Sequence, residues 1–385
     1  MKPSDRITYR AGEKRLPLYG NFELSPLCNF ACRMCYVRRD AKQVRDLGGL
    51  QAMEQWLDWA RQARDAGMLF LMLTGGEPFL YPNFLRLYEE LSALGLIISI
   101  NTNGALIDED AVAVLKRCVP KRLNITLYGA SAVTYGKLCG DPTGFDRVMK
   151  NISRLRQNGI AFRFNCSLTK ENCRDLPQMV AIAESHGVPI EIASYMFPPR
   201  RRGIEARPLE SCLTAEEAGC YAALSMRLRL PEDAFQRYAN SMERVQPPPE
   251  PPDSAGREMA CRAGRCSFWV NWQGLLSACG MLESPGYSLV DRTPAEAWQQ
   301  IVSDTNELRC LDGCGGCPNY SICHPCAAAA WCETGTMHGR PEYKCQMLLA
   351  EAAASKLLKN EPDKAHAAAL IEAFLNQKNA EKERS

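Results

Sequence analysis

Three cysteines near the start of the chain, Cys28, Cys32 and Cys35, have the spacing Cys-x₃-Cys-x₂-Cys and are followed at once by Tyr36. Three thiolates on one loop can bind three irons of a cubane 4Fe–4S cluster, which leaves the fourth iron open to chemistry. The alternative is a zinc knuckle, but a structural zinc usually has four protein ligands. A second motif, Gly75-Gly76-Glu77, follows further along and makes zinc the weaker interpretation.

The composition argues against several classes of protein, namely nucleic-acid-binding, secreted and membrane-spanning proteins. The chain has 385 residues, a net charge of +2 and 19 cysteines. This charge gives no basic field for nucleic acid, Met1 to Arg10 lack the apolar core of a signal peptide, and no apolar run approaches the roughly 20 residues needed to cross a bilayer. We therefore expect a cytoplasmic protein with no nucleic-acid or membrane partner, whose cysteines bind metal rather than form disulfides.

Between about Gly20 and Phe197, short apolar runs alternate with segments of helical periodicity. The alternation predicts an α/β fold in which six parallel strands curve into a partial (β/α)₆ barrel. Both motifs then follow carboxyl ends of strands, where active sites of such sheets lie. The predicted strands are Phe22–Leu27, Leu69–Thr74, Ile97–Asn101, Leu123–Leu127, Phe162–Leu168 and Ile190–Tyr195.

The rest of the chain departs from this pattern. A helix is predicted over Ala215–Arg229, and Pro247–Pro252 is a stiff linker. Residues 259–347 hold ten of the cysteines and little periodic structure, so we expect metal rather than an apolar core to hold them together. The predicted organisation is an N-terminal extension (1–19), the barrel (20–210), a helical and proline-rich linker (211–258), the cysteine-rich domain (259–347) and a C-terminal helix and tail (348–385).

The pair of motifs closely resembles the radical S-adenosylmethionine (SAM) enzymes. In that family the open iron chelates the amino and carboxylate groups of SAM. One electron then breaks a carbon–sulfur bond, and the 5′-deoxyadenosyl radical removes a hydrogen atom from a substrate. The resemblance implies a SAM cofactor, a cluster on the first three cysteines, and an electron donor such as flavodoxin or ferredoxin.

The same resemblance implies a set of SAM contacts. Tyr36 would lie against the adenine, and Glu77 would stabilise the amino group bound along the Gly-Gly-Glu segment. Arg147 would meet the SAM carboxylate, because a guanidinium matches a carboxylate geometrically; alternatively it is a solvated arginine on a helix. The implied SAM-binding residues are Tyr36, Gly75, Gly76, Glu77, Thr102, Asn103, Thr126 and Arg147.

The cysteine-rich segment resembles the SPASM extension of radical SAM enzymes, which holds two auxiliary 4Fe–4S clusters. The resemblance assigns Cys261, Cys266, Cys279 and Cys326 to one cluster and Cys314, Cys317, Cys323 and Cys345 to the other, which gives three clusters in all. Cys323 and Cys326 are separated by two residues, whereas the family usually has three, so Cys332 competes with Cys326. Two zinc ribbons are the alternative. Fully ligated clusters favour an electron-transfer role.

The resemblance also limits the substrates and reactions that we expect. Relatives act mainly on ribosomal peptides and proteins, forming thioether or carbon–carbon cross-links, oxidising a residue or epimerising it. Sulfatase maturases carry an aspartate after the cysteine of the Gly-x₄-Cys motif, and here that position is Gly280. Too few residues precede Cys28 for the peptide-binding domain of many relatives, so we expect any leader-peptide reader to be a separate protein, to be part of the precursor, or to be absent.

Two other hypotheses remain open. The substrate could be a small molecule or cofactor precursor, such as a tetrapyrrole. The chain could also be a metal-stabilised scaffold, which would release no 5′-deoxyadenosine and would keep its function when Cys32 is replaced by alanine. Spare cysteines, Cys166 among them, are hydrogen-atom donor candidates for an epimerase, although buried free thiols are common.

Overall fold

The structure, a computed structural model, describes residues 3–197, 210–248, 257–258, 261–282, 284–306, 308–310 and 313–382. The strands are β1 (Tyr19–Glu23), β2 (Phe70–Thr74), β3 (Ile97–Thr102), β4 (Arg122–Thr126), β5 (Arg163–Ser167), β6 (Ile190–Ala193), β7 (Arg257–Glu258), β8 (Ser267–Val270), β9 (Leu275–Ser277), β10 (Gly286–Ser288) and β11 (Arg309–Cys310).

The helices lie between and after these strands. They are α1 (Pro3–Glu13), α2 (Ala41–Asp46), α3 (Met53–Asp65), α4 (Phe84–Ala93), α5 (Glu109–Arg117), α6 (Ala132–Cys139), α7 (Gly144–Gln157), α8 (Leu176–His186), α9 (Ala215–Arg229), α10 (Glu232–Met242), α11 (Pro294–Asn306), α12 (Tyr320–Cys323), α13 (Ala327–Thr334), α14 (Glu342–Leu358) and α15 (Lys364–Lys382), with 3₁₀ turns at Pro78–Leu80 and Cys173–Asp175. Among the described helices, none is both long and apolar enough to cross a membrane.

In the described part of the chain, nine strands form one sheet in the order β10-β9-β8-β1-β2-β3-β4-β5-β6. Strands β1 to β6 pair in parallel, and β8 also pairs in parallel with β1, so that Tyr19 lies opposite Ser267 and Phe22 opposite Val270. Strands β9 and β10 continue as antiparallel partners. The sheet is open, with β6 and β10 at its edges.

Apolar and polar side chains alternate along the strands, so the two faces of the sheet differ in character. One face carries fully buried apolar side chains such as Phe22, Leu73 and Ile100, which join the core shared with the surrounding helices. The other face is polar: the Asn124 amide donates to Asn101 Oδ1 (2.6 Å), and Arg163 Nε donates to Asn124 Oδ1 (2.6 Å). Polar side chains of this face, Asn101 and Asn165 among them, line a cavity.

The predicted α/β fold with six parallel strands is confirmed, with shifted strand ends. The first strand is predicted over Phe22–Leu27 but lies at Tyr19–Glu23, because the residues after Glu23 leave the sheet for the cysteine loop. The predicted helix Ala215–Arg229 is observed with the same bounds. The Ala/Leu-rich C-terminal region forms two helices rather than one, since Pro362 lies between α14 and α15.

The cysteine-rich segment differs from expectation. We expect metal to hold it in place of an apolar core, yet Phe268, Val270, Leu276 and Ile301 are buried in the main core of the molecule. The sheet therefore crosses the predicted boundary between barrel and cysteine-rich domain. The domain limits themselves stay predictions, and parts of the proline-rich linker (249–256) lie outside the described residues.

Candidate functional site

A cavity of about 600 Å³ opens at the carboxyl ends of the parallel strands. The three motif cysteines, Cys28, Cys32 and Cys35, all line it. Six of the predicted SAM-binding residues line it as well: Tyr36, Gly75, Gly76, Thr102, Asn103 and Thr126. The structure thus brings together, on one cavity wall, motifs that lie far apart in the sequence.

The cysteine loop is held against the end of α6. The Ala31 N–H donates to the Cys139 carbonyl oxygen (2.9 Å), and the Cys28 sulfur accepts from the Phe30 N–H (3.4 Å). Burial raises the pKa of Cys28 to about 12 and also raises the pKa of Cys35. Without a cation these thiols stay protonated, whereas iron deprotonates a coordinating thiol.

The donor set fits a cluster with three cysteine ligands. Three sulfurs on one loop face the same cavity, and the cavity extends beyond them. In the part of the chain that the structure describes, no three Cys, His, Asp or Glu side chains converge on a single ion position. Thiols that ligate separate irons need not converge on one point, so this geometry suits a cluster better than one zinc ion.

The two glycines are required by a close approach of protein backbone. A Cβ at Gly75 would lie 2.4 Å from the Ser25 carbonyl oxygen, and one at Gly76 would lie 2.4 Å from the Leu27 carbonyl oxygen. The Gly76 N–H donates to Ser25 (2.7 Å) and the Glu77 N–H to Leu27 (2.8 Å). One side of this segment therefore supports the chain that leads into Cys28, while the other side lines the cavity.

Glu77 is fully buried and does not line the cavity. Its carboxylate accepts from the Thr102 hydroxyl (2.7 Å), the Asn103 N–H (2.7 Å) and the Phe79 N–H (3.2 Å). Burial raises the pKa of Glu77 to about 7, although these hydrogen bonds act in the opposite direction. Here the carboxylate joins the ends of β2 and β3, a role that its motif does not reveal.

Asn103 extends this network to the cysteine loop. Its side-chain amide donates to Asn29 Oδ1 (2.7 Å) and lies 3.7 Å from the Cys28 sulfur. Its own Oδ1 accepts from the Ala105 N–H (2.9 Å). The Glu77 carboxylate, Asn103 and the first cysteine are therefore connected through direct contacts.

The two remaining candidate residues are Arg147, predicted to contact SAM, and Cys166, a candidate hydrogen-atom donor. Arg147 forms an ion pair with Asp141, and its guanidinium carbon lies 5.9 Å from the ring centroid of Phe30, which itself lines the cavity. The structure does not bring Arg147 into the cavity wall, so its SAM contact stays a prediction. Cys166 belongs to the wall, but its thiol lies 3.7 Å from the Met179 sulfur on the helix side of the sheet.

Several wall residues were missed by the sequence analysis. They are Phe30, Met34, Val37, Thr74, Tyr128, Asn165, Ser167, Glu191, Ile192 and Ala193. Asn165 and Ser167 follow Arg163 with a period of two, which is the signal that could have placed them on the polar face. Asn165 Oδ1 is buried and accepts no hydrogen bond from the described residues, so it is available to a ligand.

A second pocket lies among the C-terminal cysteines. Cys314, Cys317, Cys323 and Cys345, the set assigned to one auxiliary cluster, all line it. Burial raises the pKa of Cys345 to about 12, with smaller contributions from Cys323 and Cys314. Four sulfurs around one pocket fit a fully ligated cluster.

The other predicted auxiliary set is Cys261, Cys266, Cys279 and Cys326. Burial raises the pKa of Cys261, and the charge of Cys326 acts in the same direction. Cys261 in turn contributes to the raised pKa of Cys266. The rival Cys332 is buried within α13. The choice between Cys326 and Cys332, and the role of Cys279, stay predictions.

Comparisons with known proteins agree with this geometry. Residues 22–181 match the family model described as the radical SAM superfamily. An AdoMet-dependent heme synthase of Oleidesulfovibrio alaskensis is 23% identical over 330 residues, covering 82% of this chain and 84% of its own. The mycofactocin maturase MftC of Mycobacterium ulcerans is 24% identical over 338 residues, covering 86% and 88%.

Solved structures show the same fold. Streptococcus suis SuiB bound to S-adenosylmethionine superimposes with a TM-score of 0.63 at 19% identity, covering 89% of this chain and 81% of SuiB. The cysteine loop and the Gly-Gly-Glu segment both lie within the residues that match the family model. Residues 22–181 therefore resemble the radical SAM superfamily, in a chain similar over most of its length to a heme synthase and a mycofactocin maturase and similar in fold to SuiB.

Proposed function

We propose that this protein is a radical SAM oxidoreductase that removes a hydrogen atom from a ribosomal peptide or protein and leaves a cross-link or an oxidised residue. The observation that carries the proposal is the single cavity lined by the three thiols of the cysteine loop, the Gly-Gly segment and the carboxyl ends of β2 to β6. When bound there, a 4Fe–4S cluster with SAM supplies one-electron cleavage of SAM and the resulting 5′-deoxyadenosyl radical.

The protein's own residues hold and orient these groups. Cys28, Cys32 and Cys35 provide three sulfur ligands, and Asn103 fixes the loop through Asn29. Aromatic and apolar side chains, among them Phe30, line the wall beside the thiols and limit the access of water. Glu77 holds the ends of β2 and β3 at a fixed separation, so that the backbone wall stays in place.

The character of the wall supports a peptide substrate. Among the described lining residues, the charged side chain is the carboxylate Glu191, and the polar ones include the amides Asn101 and Asn165. Amides and hydroxyls can pair with peptide groups. A substrate with several carboxylates would instead be expected to meet arginines or lysines. The auxiliary cysteine sets support an oxidation, since clusters there can accept the electron of a substrate radical.

A second candidate is radical modification of a small molecule or cofactor precursor such as a tetrapyrrole. The specific observation in its favour is the heme synthase of Oleidesulfovibrio alaskensis, which matches over most of both chains. The cavity volume alone does not separate the two classes of substrate.

The test begins with anaerobic reconstitution of the full chain. We expect about twelve irons per chain, for three 4Fe–4S clusters, and 5′-deoxyadenosine when SAM and dithionite are added. Cys32→Ala is the control and should release none. Absence of 5′-deoxyadenosine from the wild-type protein, at full iron content, would refute the proposal.

The substrate class is decided by deuterium transfer. Deuterated peptides encoded by short reading frames beside the gene are compared with a deuterated tetrapyrrole. Deuterium in 5′-deoxyadenosine from a peptide supports the first candidate, and deuterium from the tetrapyrrole supports the second.

A further inference from the structure

The cysteine loop continues into a surface with an excess of positive charge. From Tyr36 to Leu47 the chain has four basic and two acidic side chains, although the whole chain has a net charge of only +2. Three of the basic residues, Arg38, Lys42 and Arg45, are exposed. We call these three residues the α2 basic surface.

This surface is held rigidly although α2 is short. Asp40 begins the helix with a capping box, accepting from the Gln43 N–H (2.8 Å) while Gln43 Oε1 accepts from the Asp40 N–H (3.0 Å). Val44 is buried. One acidic residue of the segment is therefore engaged in the cap, and the buried valine fixes which face of α2 meets solvent.

The α2 basic surface adjoins the first cluster site directly. The Arg38 N–H lies 3.3 Å from the Cys35 sulfur, and the Arg38 charge acts on that thiol. Tyr36 and Val37, immediately before it, line the cavity. An electron that arrives at this surface therefore has only one loop of protein to cross before it reaches a cluster on Cys35.

We propose that the α2 basic surface is the docking site of an acidic one-electron carrier protein, which reduces the cluster held by Cys28, Cys32 and Cys35. The inference rests on the proposed function, because reductive SAM cleavage consumes one electron per turnover. The carrier is oxidised by one electron, and the cluster gains that electron. Opposite charge on the two proteins would steer the encounter and raise the association rate.

A second basic surface is the alternative docking site for the electron carrier. Arg257 and Arg262 are exposed beside the auxiliary cysteines: the Arg257 guanidinium lies 4.1 Å from the ring centroid of Tyr320, which lines the second pocket, and Arg262 follows Cys261. A carrier that delivers electrons through an auxiliary cluster would dock there instead. Charge reversal at each surface separates the two routes.

The experiment compares three double variants of the reconstituted full chain: Lys42→Glu/Arg45→Glu, Arg257→Glu/Arg262→Glu, and the remote control Arg61→Glu/Lys116→Glu. Arg61 and Lys116 are exposed near the ends of α3 and α5, so the control carries the same change in charge. The affinity for flavodoxin is measured by calorimetric titration at low and high salt, and it should fall in Lys42→Glu/Arg45→Glu alone. The release of 5′-deoxyadenosine from SAM is measured with dithionite and, separately, with reduced flavodoxin, at low and high salt.

We expect Lys42→Glu/Arg45→Glu to lower the flavodoxin-driven rate about tenfold at low salt and to abolish its dependence on salt. The dithionite-driven rate should stay within about twofold in all three variants, because dithionite is small and needs no docking surface. Equal flavodoxin-driven rates in Lys42→Glu/Arg45→Glu and the control would overturn the inference. So would a loss confined to Arg257→Glu/Arg262→Glu. A wild-type protein inactive with dithionite would instead refute the proposed function.

Discussion

Replacing Gly76 with alanine tests the contact that supports the cysteine loop. The added Cβ would lie 2.4 Å from the Leu27 carbonyl oxygen and 2.8 Å from both the Leu27 carbonyl carbon and the Pro26 oxygen. Relief requires the two backbone segments to separate by about 1 Å, and overpacking of this kind costs about 1–3 kcal/mol. Weakening the hydrogen bonds from Gly76 to Ser25 and from Glu77 to Leu27 adds about 1 kcal/mol.

The expected result is a thermal midpoint lower by about 4 °C, from the unfolding entropy of a chain of this length, and a larger loss of activity. A displacement of about 1 Å can cost 10²-fold in rate, so SAM cleavage should fall at least about tenfold at equal iron content. Differential scanning calorimetry, an iron assay and 5′-deoxyadenosine release measure the three quantities.

The matched control is Gly12→Ala, at a helical glycine where the added Cβ has no atom within 4 Å. We expect the control to be neutral or more stable by up to about 1 kcal/mol, because alanine favours a helix. If Gly76→Ala matches this control in thermal midpoint and SAM cleavage, the close approach does not determine the geometry of the loop.

Four further substitutions test other parts of the site. Burial raises the pKa of Glu77 to about 7 from 4.5, so this group contributes stability below pH 4.5 that is lost as pH rises through 7. Glu77→Gln should therefore remove roughly 3 kcal/mol of pH dependence from urea unfolding of the apoprotein between pH 4.5 and 8; an unchanged dependence would contradict this. Cys166→Ser should keep SAM cleavage within about twofold, since the thiol lies against Met179; a large loss would place it in the cavity. Cys345→Ser should lower iron by about four per chain and Cys332→Ser should not, and an iron assay that ranks them otherwise would revise the auxiliary ligands.

Local patterns were sufficient to predict the six parallel strands. Alternation along Phe162–Leu168, for example, reflects a strand with one face on helices and one on a polar interior, and the structure has β5 within that range. The strands β8 to β10 were not predicted, because they have only three or four residues each and pair with distant parts of the chain. Short strands carry too little periodicity to be distinguished from loops.

The candidate site, like the fold, was predicted only in part from the sequence. The cysteine spacing and the Gly-Gly-Glu motif predicted which segments meet at the cavity, since these depend on chemistry within a few residues. The motif did not reveal that Gly75 and Gly76 pack against Ser25 and Leu27, because that contact joins segments almost fifty residues apart. The ion pair between Arg147 and Asp141 was not predicted either, because it depends on the turn between α6 and α7.

The parallel pairing of β8 with β1 has a consequence for how this chain can evolve and be engineered. Strand β1 is an interior strand because Tyr19 to Phe22 pair with Ser267 to Val270, and Asn21 donates to the Phe268 carbonyl oxygen (2.7 Å). A chain cut before residue 257 would leave β1 as a bare edge, open to association with other strands. The cysteine loop begins directly after that strand. Residues 22–181 and the cysteine-rich segment therefore share one sheet, and an engineered exchange between relatives must preserve this strand pair to keep the cysteine loop in place.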